Sequence, residues 1–226
     1  DIAFVIGERF YIGNILKERA TEQDALRHII ASVPKEQVVY LTHESAQTEP
    51  IRVEGGDVML YNDIVFIGVT EEDEGFGQYK TARTNRAALR YFEQAVPEKR
   101  FIPLHLKKHD TEPQEGVLHV DCAFQPVGNG KAVYYPDGFT RADERAFIDK
   151  LFGKENLFAV RSDEAWHLTT NFLSVAPDEV IVEEHFTRLA HHLANEWHIK
   201  VHTIPYAETS KQGGLLRCST CPLLRD

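Results

Sequence analysis

Residues 171–204 read NFLSVAPDEVIVEEHFTRLAHHLANEWHIKVHTI, and this stretch holds one complete structural unit. Asn171–Val175 and Glu179–Glu183 have the apolar, β-branched composition of short strands, and Ala176-Pro177-Asp178 between them is a turn signal. Phe186, Leu189, Ala190, Leu193 and Trp197 then recur at helical spacing, forming one apolar face. Lys200–Ile204 closes the unit as a third strand. The order is strand, strand, helix, strand.

The same order recurs toward the N-terminus. Ile2–Gly13 reads as a hairpin turning at Gly7-Glu8-Arg9. A helix follows with Ala25, Leu26, Ile29 and Ile30 on one face and Thr21 as its expected cap, and Gln37–Leu41 is the closing strand. Asp57–Leu60, Tyr61-Asn62-Asp63 and Ile64–Val69 form a second hairpin, with Ala88, Leu89, Phe92 and Ala95 marking its helix and Arg100–Leu106 its last strand. Val117–Val127 and Lys131–Tyr135 flank Gly128-Asn129-Gly130, which contains the strongest short turn signal in the chain. Thr140 is the expected cap of a helix bearing Phe147, Ile148, Leu151 and Phe152, and Asn156–Val160 ends that unit. Leu215–Arg217 is expected to open a fifth hairpin. A repeat of roughly 45–60 residues points to a propeller or an array. No linker rich in Pro, Gly or Ser interrupts it, so residues 1–226 read as one α/β domain. The first strands of successive units would then meet on a common axis, although a plain α/β sandwich satisfies the same periodicity.

The bulk composition narrows the function classes. The chain has 226 residues, 42% of them hydrophobic and 27% charged, enough for a full core without staples. A formal charge of -10 argues against nucleic acid, whose phosphates need a positive footprint, and suits a small cationic ligand. Three cysteines are no disulfide framework, which is the pattern of a reducing, cytoplasmic compartment. No apolar run approaches membrane-spanning length, and no signal peptide is visible. The chain begins at Asp1, directly in a strand-like run.

Three short motifs stand at equivalent places, each at the start of a hairpin. Glu54-Gly55-Gly56-Asp57 sets two carboxylates beside glycines that open space. In His119-Val120-Asp121 a strand period of two would put His119 and Asp121 on one face. In Gly213-Gly214-Leu215-Leu216-Arg217-Cys218 two glycines allow a sharp turn and a close approach, and Arg217 adjoins a cysteine that it can help to ionise. Read alone, Cys218 is as well explained as a small buried hydrophobe. Together, a cysteine, a histidine and several carboxylates make chemical sense around a planar delocalised cation. Carboxylates hold its N–H fork, the thiolate attacks its carbon, and the imidazole moves protons.

These motifs, with Arg83-Thr84-Asn85, resemble those of the guanidino-group modifying enzymes: arginine deiminase, dimethylarginine dimethylaminohydrolase and the arginine amidinotransferases. They are spread over nearly the whole chain in that superfamily's order. The resemblance implies a pentein-type α/β propeller of ββαβ units. Asp1 before Ile2–Gly7 is similar to an Arg-Asp motif whose Arg is absent here, as expected of a first blade incomplete at its N-terminus. The resemblance makes Cys218 the nucleophile and His119 the general acid/base, with Glu54 orienting His119. Asp121 and Asp1 are expected to grip the guanidinium, Asp57 to lie near the substrate or the turn, and Arg83 to bind a substrate carboxylate. Arg217 is a second substrate contact or a structural ion pair. The implied reaction is hydrolysis at the guanidinium carbon of arginine or a substituted arginine through a covalent amidino-thioether, with no metal or other cofactor. Amidino transfer to an amine is the alternative. Homo-oligomerisation and the substrate's identity are left open.

Other readings of the same residues are weaker. Cys218-Ser219-Thr220-Cys221 is a CxxC, but a structural zinc needs a second ligand pair and a redox CxxC opens a helix, whereas Pro222 follows here. Cys221 and Cys122 are therefore expected in packing roles, as are the histidines at 105, 109, 191, 192, 198 and 202. The acidic run Glu71–Glu74 reads as a loop beside the site, which the resemblance makes a lid. A ribosome-subunit anti-association factor shares the propeller fold and does no chemistry, so a binding protein is the reading of another class.

Overall fold

A computed structural model describes residues 1–46 and 49–223. The chain groups into two compact units, residues 1–104 with the segment from Cys221, and residues 105–220.

The first unit contains two three-stranded sheets of the same design. Ala3–Ile6 and Arg9–Ile12 pair antiparallel, and Val38–Tyr40 joins parallel to the second strand. Val58–Tyr61 and Ile64–Gly68 form the next hairpin, with Arg100–Leu104 parallel beside Ile64–Gly68. The parallel third strand follows from a crossover: after a hairpin, only a connection as long as a helix can bring the chain back in the same direction. The crossover in the second sheet is the helix Arg86–Ala95, whose Asn85 side chain caps it by accepting from the Ala88 N–H at 3.2 Å. Ala88, Leu89 and Phe92 of its buried face were readable from the spacing; Ala87 is buried as well, and Ala95 is half-buried. Phe92 packs edge-on to Tyr11 and stacks on Phe101, at centroid distances of 5.3 and 5.9 Å. Truncating so central a ring typically costs about 3–5 kcal/mol.

The second unit repeats the plan. Phe124–Val127 and Lys131–Tyr134 pair antiparallel, with Leu157–Ala159 parallel. Leu173–Ala176 and Glu179–Glu183 pair antiparallel, with Lys200–Ile204 parallel. The crossover helices are Ala142–Phe152 and Thr187–Asn195. Asn129 and Gly130 both take positive φ, 63° and 76°, as the tight hairpin at that turn requires. The core of this unit gathers Phe158, Phe172, Val180, Val182, Leu189, Leu193 and Trp197. Among the described residues, no helix is long and apolar enough to cross a membrane.

Four local expectations need correction. Thr21 caps nothing; it lies inside a 3-10 stretch, Lys17–Leu26, that runs on into the helix Arg27–Ser32. Thr140 is not the cap of Ala142–Phe152 either, because Arg141 holds that position and the Thr140 hydroxyl donates to the His105 carbonyl at 3.2 Å. Residues 117–123 are not strand: Val120–Cys122 is a 3-10 turn, and the hairpin begins at Phe124. Leu215–Arg217 opens no strand; it belongs to a turn in which the Ser219 N–H donates to the Leu215 carbonyl at 3.0 Å.

Candidate active site

The Glu54-Gly55-Gly56-Asp57 and His119-Val120-Asp121 motifs share one local geometry. Glu54 and His119 are extended, with φ/ψ of -114/146° and -130/168°, and each is followed at once by a 3-10 turn that opens a hairpin. His119 and Asp121 are therefore related by this turn and not by a strand period.

In the first unit Glu54 is fully buried, and its carboxylate accepts from Arg19 at 2.5 Å and from Arg83 at 3.0 Å on both oxygens. A carboxylate at zero exposure would be costly unless paired, and two guanidinium groups supply the pairing. Arg19 also lies 3.6 Å from Asp1. The Thr84 hydroxyl donates to Asp57 at 2.6 Å and accepts from the Glu54 N–H at 3.3 Å. The motif Arg83-Thr84-Asn85 thereby ties both acids of the first motif to the start of a helix. Gly55 is required where it stands: its N–H donates to the Asp1 carbonyl at 2.6 Å, and a Cβ there would meet the Ala3 carbonyl oxygen at 2.7 Å.

In the second unit the Cys218 sulfur is half-buried and lies 3.8 Å from the buried Asp121 carboxylate. The Cys122 thiol touches the other Asp121 oxygen at 3.4 Å, and all three ligand-type atoms lie within 4.8 Å of one another. The Cys218 thiol is held below the usual thiol range, first by hydrogen bonding from the Cys122 thiol; His119 and the Leu215 N–H act the same way, against burial and the charge of Asp121. Cys122 is pushed well up by the same contact, then by burial and by Asp121. Of the pair, Cys218 is the more exposed thiol and Cys122 the buried one. The Asn171 amide lies 3.2 Å from the Cys218 sulfur, and the Thr170 hydroxyl donates to the Asp121 carbonyl at 3.1 Å. Arg217 is buried, and its Nε finds no acceptor among the described residues.

Comparison with known proteins bears on this arrangement. The arginine deiminase family model matches residues 151–225. An uncharacterized protein of Bacillus subtilis, YkgA, is 28% identical over 232 residues, covering all of this chain and 68% of its own length. The arginine deiminase of Listeria monocytogenes serotype 4a is 23% identical over 258 residues, covering all of this chain and 60% of the enzyme. Among solved structures, the product-bound N-terminal domain of ArgZ, a cyanobacterial arginine dihydrolase, superposes with a TM-score of 0.72 at 21% identity, over 99% of this chain and 75% of that one. A cysteine-to-serine variant of Pseudomonas aeruginosa DDAH complexed with citrulline gives 0.70 at 16% identity, over 95% and 71%.

The chain is similar to arginine deiminases in sequence and to guanidino-modifying enzymes in fold. Its fold is the pentein-type α/β propeller class of ββαβ units, in agreement with the four sheets described above.

Several residues around these motifs were not legible as site residues. Arg19 sits in a polar run, Lys17-Glu18-Arg19, that carries no motif. Cys122 was read as packing; it is buried, as expected, but against Cys218. Asn171 was read only as the start of a strand, and the strand begins two residues later at Leu173. The expected packing role of Cys221 agrees with its place against the Ala3, Val5 and Leu26 cluster of the first unit. His105 is a packed histidine, bound through Nδ1 to Glu144. Glu71 in the acidic run is paired with Arg86 at 2.6 Å.

Proposed function

We propose that this chain hydrolyses the guanidinium group of arginine or a substituted arginine through a covalent bond to Cys218. The observation that supports this most is the pairing of the half-buried Cys218 thiol with a buried carboxylate 3.8 Å away. A thiolate beside a carboxylate is electrostatically unfavourable by itself. A guanidinium relieves the repulsion, since its N–H groups bind the carboxylate while its carbon faces the sulfur.

The reaction then runs in two halves. The Cys218 thiolate adds to the guanidinium carbon, the bond from that carbon to the departing nitrogen breaks, and the amine leaves with a proton from His119. The amidino group stays on sulfur as a thioether. His119 next takes a proton from water, the resulting hydroxide adds to the same carbon, and the carbon–sulfur bond breaks to return the thiolate and release a ureido product. Splitting one difficult displacement in this way is the benefit of covalent catalysis. Asp121 holds the guanidinium throughout. Glu54, Asp57 and Asp1 keep the roles that the superfamily resemblance assigns them. Arg83 and Arg217 are assigned to the substrate's carboxylate, Arg217 because its buried Nε has a donor to offer.

A panel of arginine, methylated arginines and agmatine, assayed for ureido product and for released amine, tests the reading. Acid quenching during turnover should leave added amidino mass on the peptide containing Cys218, and Cys218→Ser should abolish turnover. An adduct on Cys221 or Cys122, or near-normal activity in Cys218→Ser, would overturn it. Amidino transfer to an added amine, giving a new guanidine without ureido product, would replace hydrolysis.

A further inference from the structure

We propose that Asn171 is the positioning residue of the nucleophile: one face of its carboxamide clamps the main chain at residues 217 and 218, and the other presents an N–H to the Cys218 sulfur. This rests on Cys218 being the reacting thiol.

The orientation of the amide is dictated by its partners. Asn171 Oδ1 accepts from the N–H of Arg217 at 3.0 Å and of Cys218 at 3.2 Å. Only the oxygen end of a carboxamide can serve two donors, so Nδ2 must face the other way. That end lies 3.2 Å from the Cys218 sulfur and 3.5 Å from the Asp121 carbonyl. Asn171 is fully buried, and its own carbonyl also accepts from the Arg217 N–H at 3.3 Å. One side chain therefore joins the turn that carries Asp121 to the loop that carries the thiol, across separations of 50 and 47 residues.

The chemical consequence has a sign. An N–H can only donate, so it supports the sulfur as an anion and gains little from a protonated thiol. Asp121 acts in the opposite sense, as an acceptor that favours S–H. Cys122 and His119 act with Asn171. Asn171 thus favours the ionised form of the sulfur and aims it, while fixing the main chain that carries it.

The test is the pH dependence of Cys218 alkylation by iodoacetamide, followed on the Cys218 peptide by mass spectrometry, so that no substrate is needed. Asn171→Ala should raise the apparent pKa of Cys218 by about one unit, which lowers the alkylation rate at pH below that pKa about three- to fourfold, because the more basic thiolate is also more nucleophilic. Asn171→Asp keeps an acceptor for both main-chain N–H groups but puts an oxygen against the sulfur, so it should raise that pKa further while leaving the loop in place. In the unmodified chain, the Asn171 side-chain N–H resonances should titrate with the same pKa as alkylation. Profiles of both variants superimposable on the wild type, or side-chain resonances that do not follow the thiol, would overturn the assignment. If the pKa shifts appear but no guanidino compound is turned over, the positioning role stands and the proposed reaction falls.

Discussion

Replacing Gly214 by alanine should damage the nucleophile more than the fold, and its neighbour provides the control. Gly214 has φ of +104° and Gly213 of +90°, both in a region that residues with a side chain avoid. Either alanine variant therefore carries backbone strain, of order 1–3 kcal/mol. In a chain of this size that lowers Tm by roughly 2–10 °C. Only one of them meets an obstacle. A Cβ at Gly213 has nothing within 4 Å, whereas a Cβ at Gly214 would stand 2.8 Å from the Cys218 Cβ and 3.5 Å from its sulfur. Ordinary contact begins at 3.4 Å, so Cys218 must give by about 0.6 Å to reach it. A misplacement of about 1 Å costs about 10²-fold in a well-aligned reaction. Gly214→Ala should therefore lose roughly 10- to 100-fold in kcat/KM, beyond whatever Gly213→Ala loses. The assay is ureido product formation with the best substrate of the panel, alongside thermal unfolding of both variants. Equal activities in the two variants at matched stability would refute the claim that Gly214 is there to make room for the thiol.

Other expectations follow from the same geometry. Asp121→Asn should lower kcat/KM for guanidino substrates by roughly 10²–10⁴-fold, in line with about 3–5 kcal/mol for breaking a buried charge pair; unchanged efficiency would remove Asp121 from the site. Cys122→Ala should shift the ascending limb of the pH–rate profile to higher pH, because the Cys122 thiol is the first cause holding the Cys218 pKa down; a limb that stays in place would show that Cys122 is packing alone. The hydrogen bond from Arg188 holds the Glu164 carboxyl below the usual carboxylate range. Its stabilisation is therefore complete above the unfolded pKa of about 4.3 and is lost as pH falls through the lowered folded value. Glu164→Gln should accordingly lower Tm at neutral pH, with the gap to wild type closing under acid; a gap independent of pH would refute the ion-pair origin.

Much of the fold lay in the sequence because its signals are local. The alternation of Val180 and Val182, the helical spacing of Leu189 and Leu193, and the Asn129-Gly130 turn each act over a few residues, so the hairpin–helix–strand order was legible. The three motifs were legible for the same reason, since each packs its chemistry into a handful of adjacent positions. Their conformation was not. Alternating apolar and polar residues at 117–123 look like a strand, yet N–H groups of Cys122 and Ala123 donate back to His119 and Val120 at 3.1 and 2.8 Å, and a 3-10 turn wins. The partners were hidden more deeply. Arg19 reaches Glu54 across 35 positions, Asn171 reaches Cys218 across 47, and Cys218 lies by Asp121 across 97. No periodicity encodes such separations. A buried asparagine, an arginine in a polar run and a cysteine in a core acquire their roles only when the sheets and crossovers bring their atoms within reach, and that is what the tertiary structure decided.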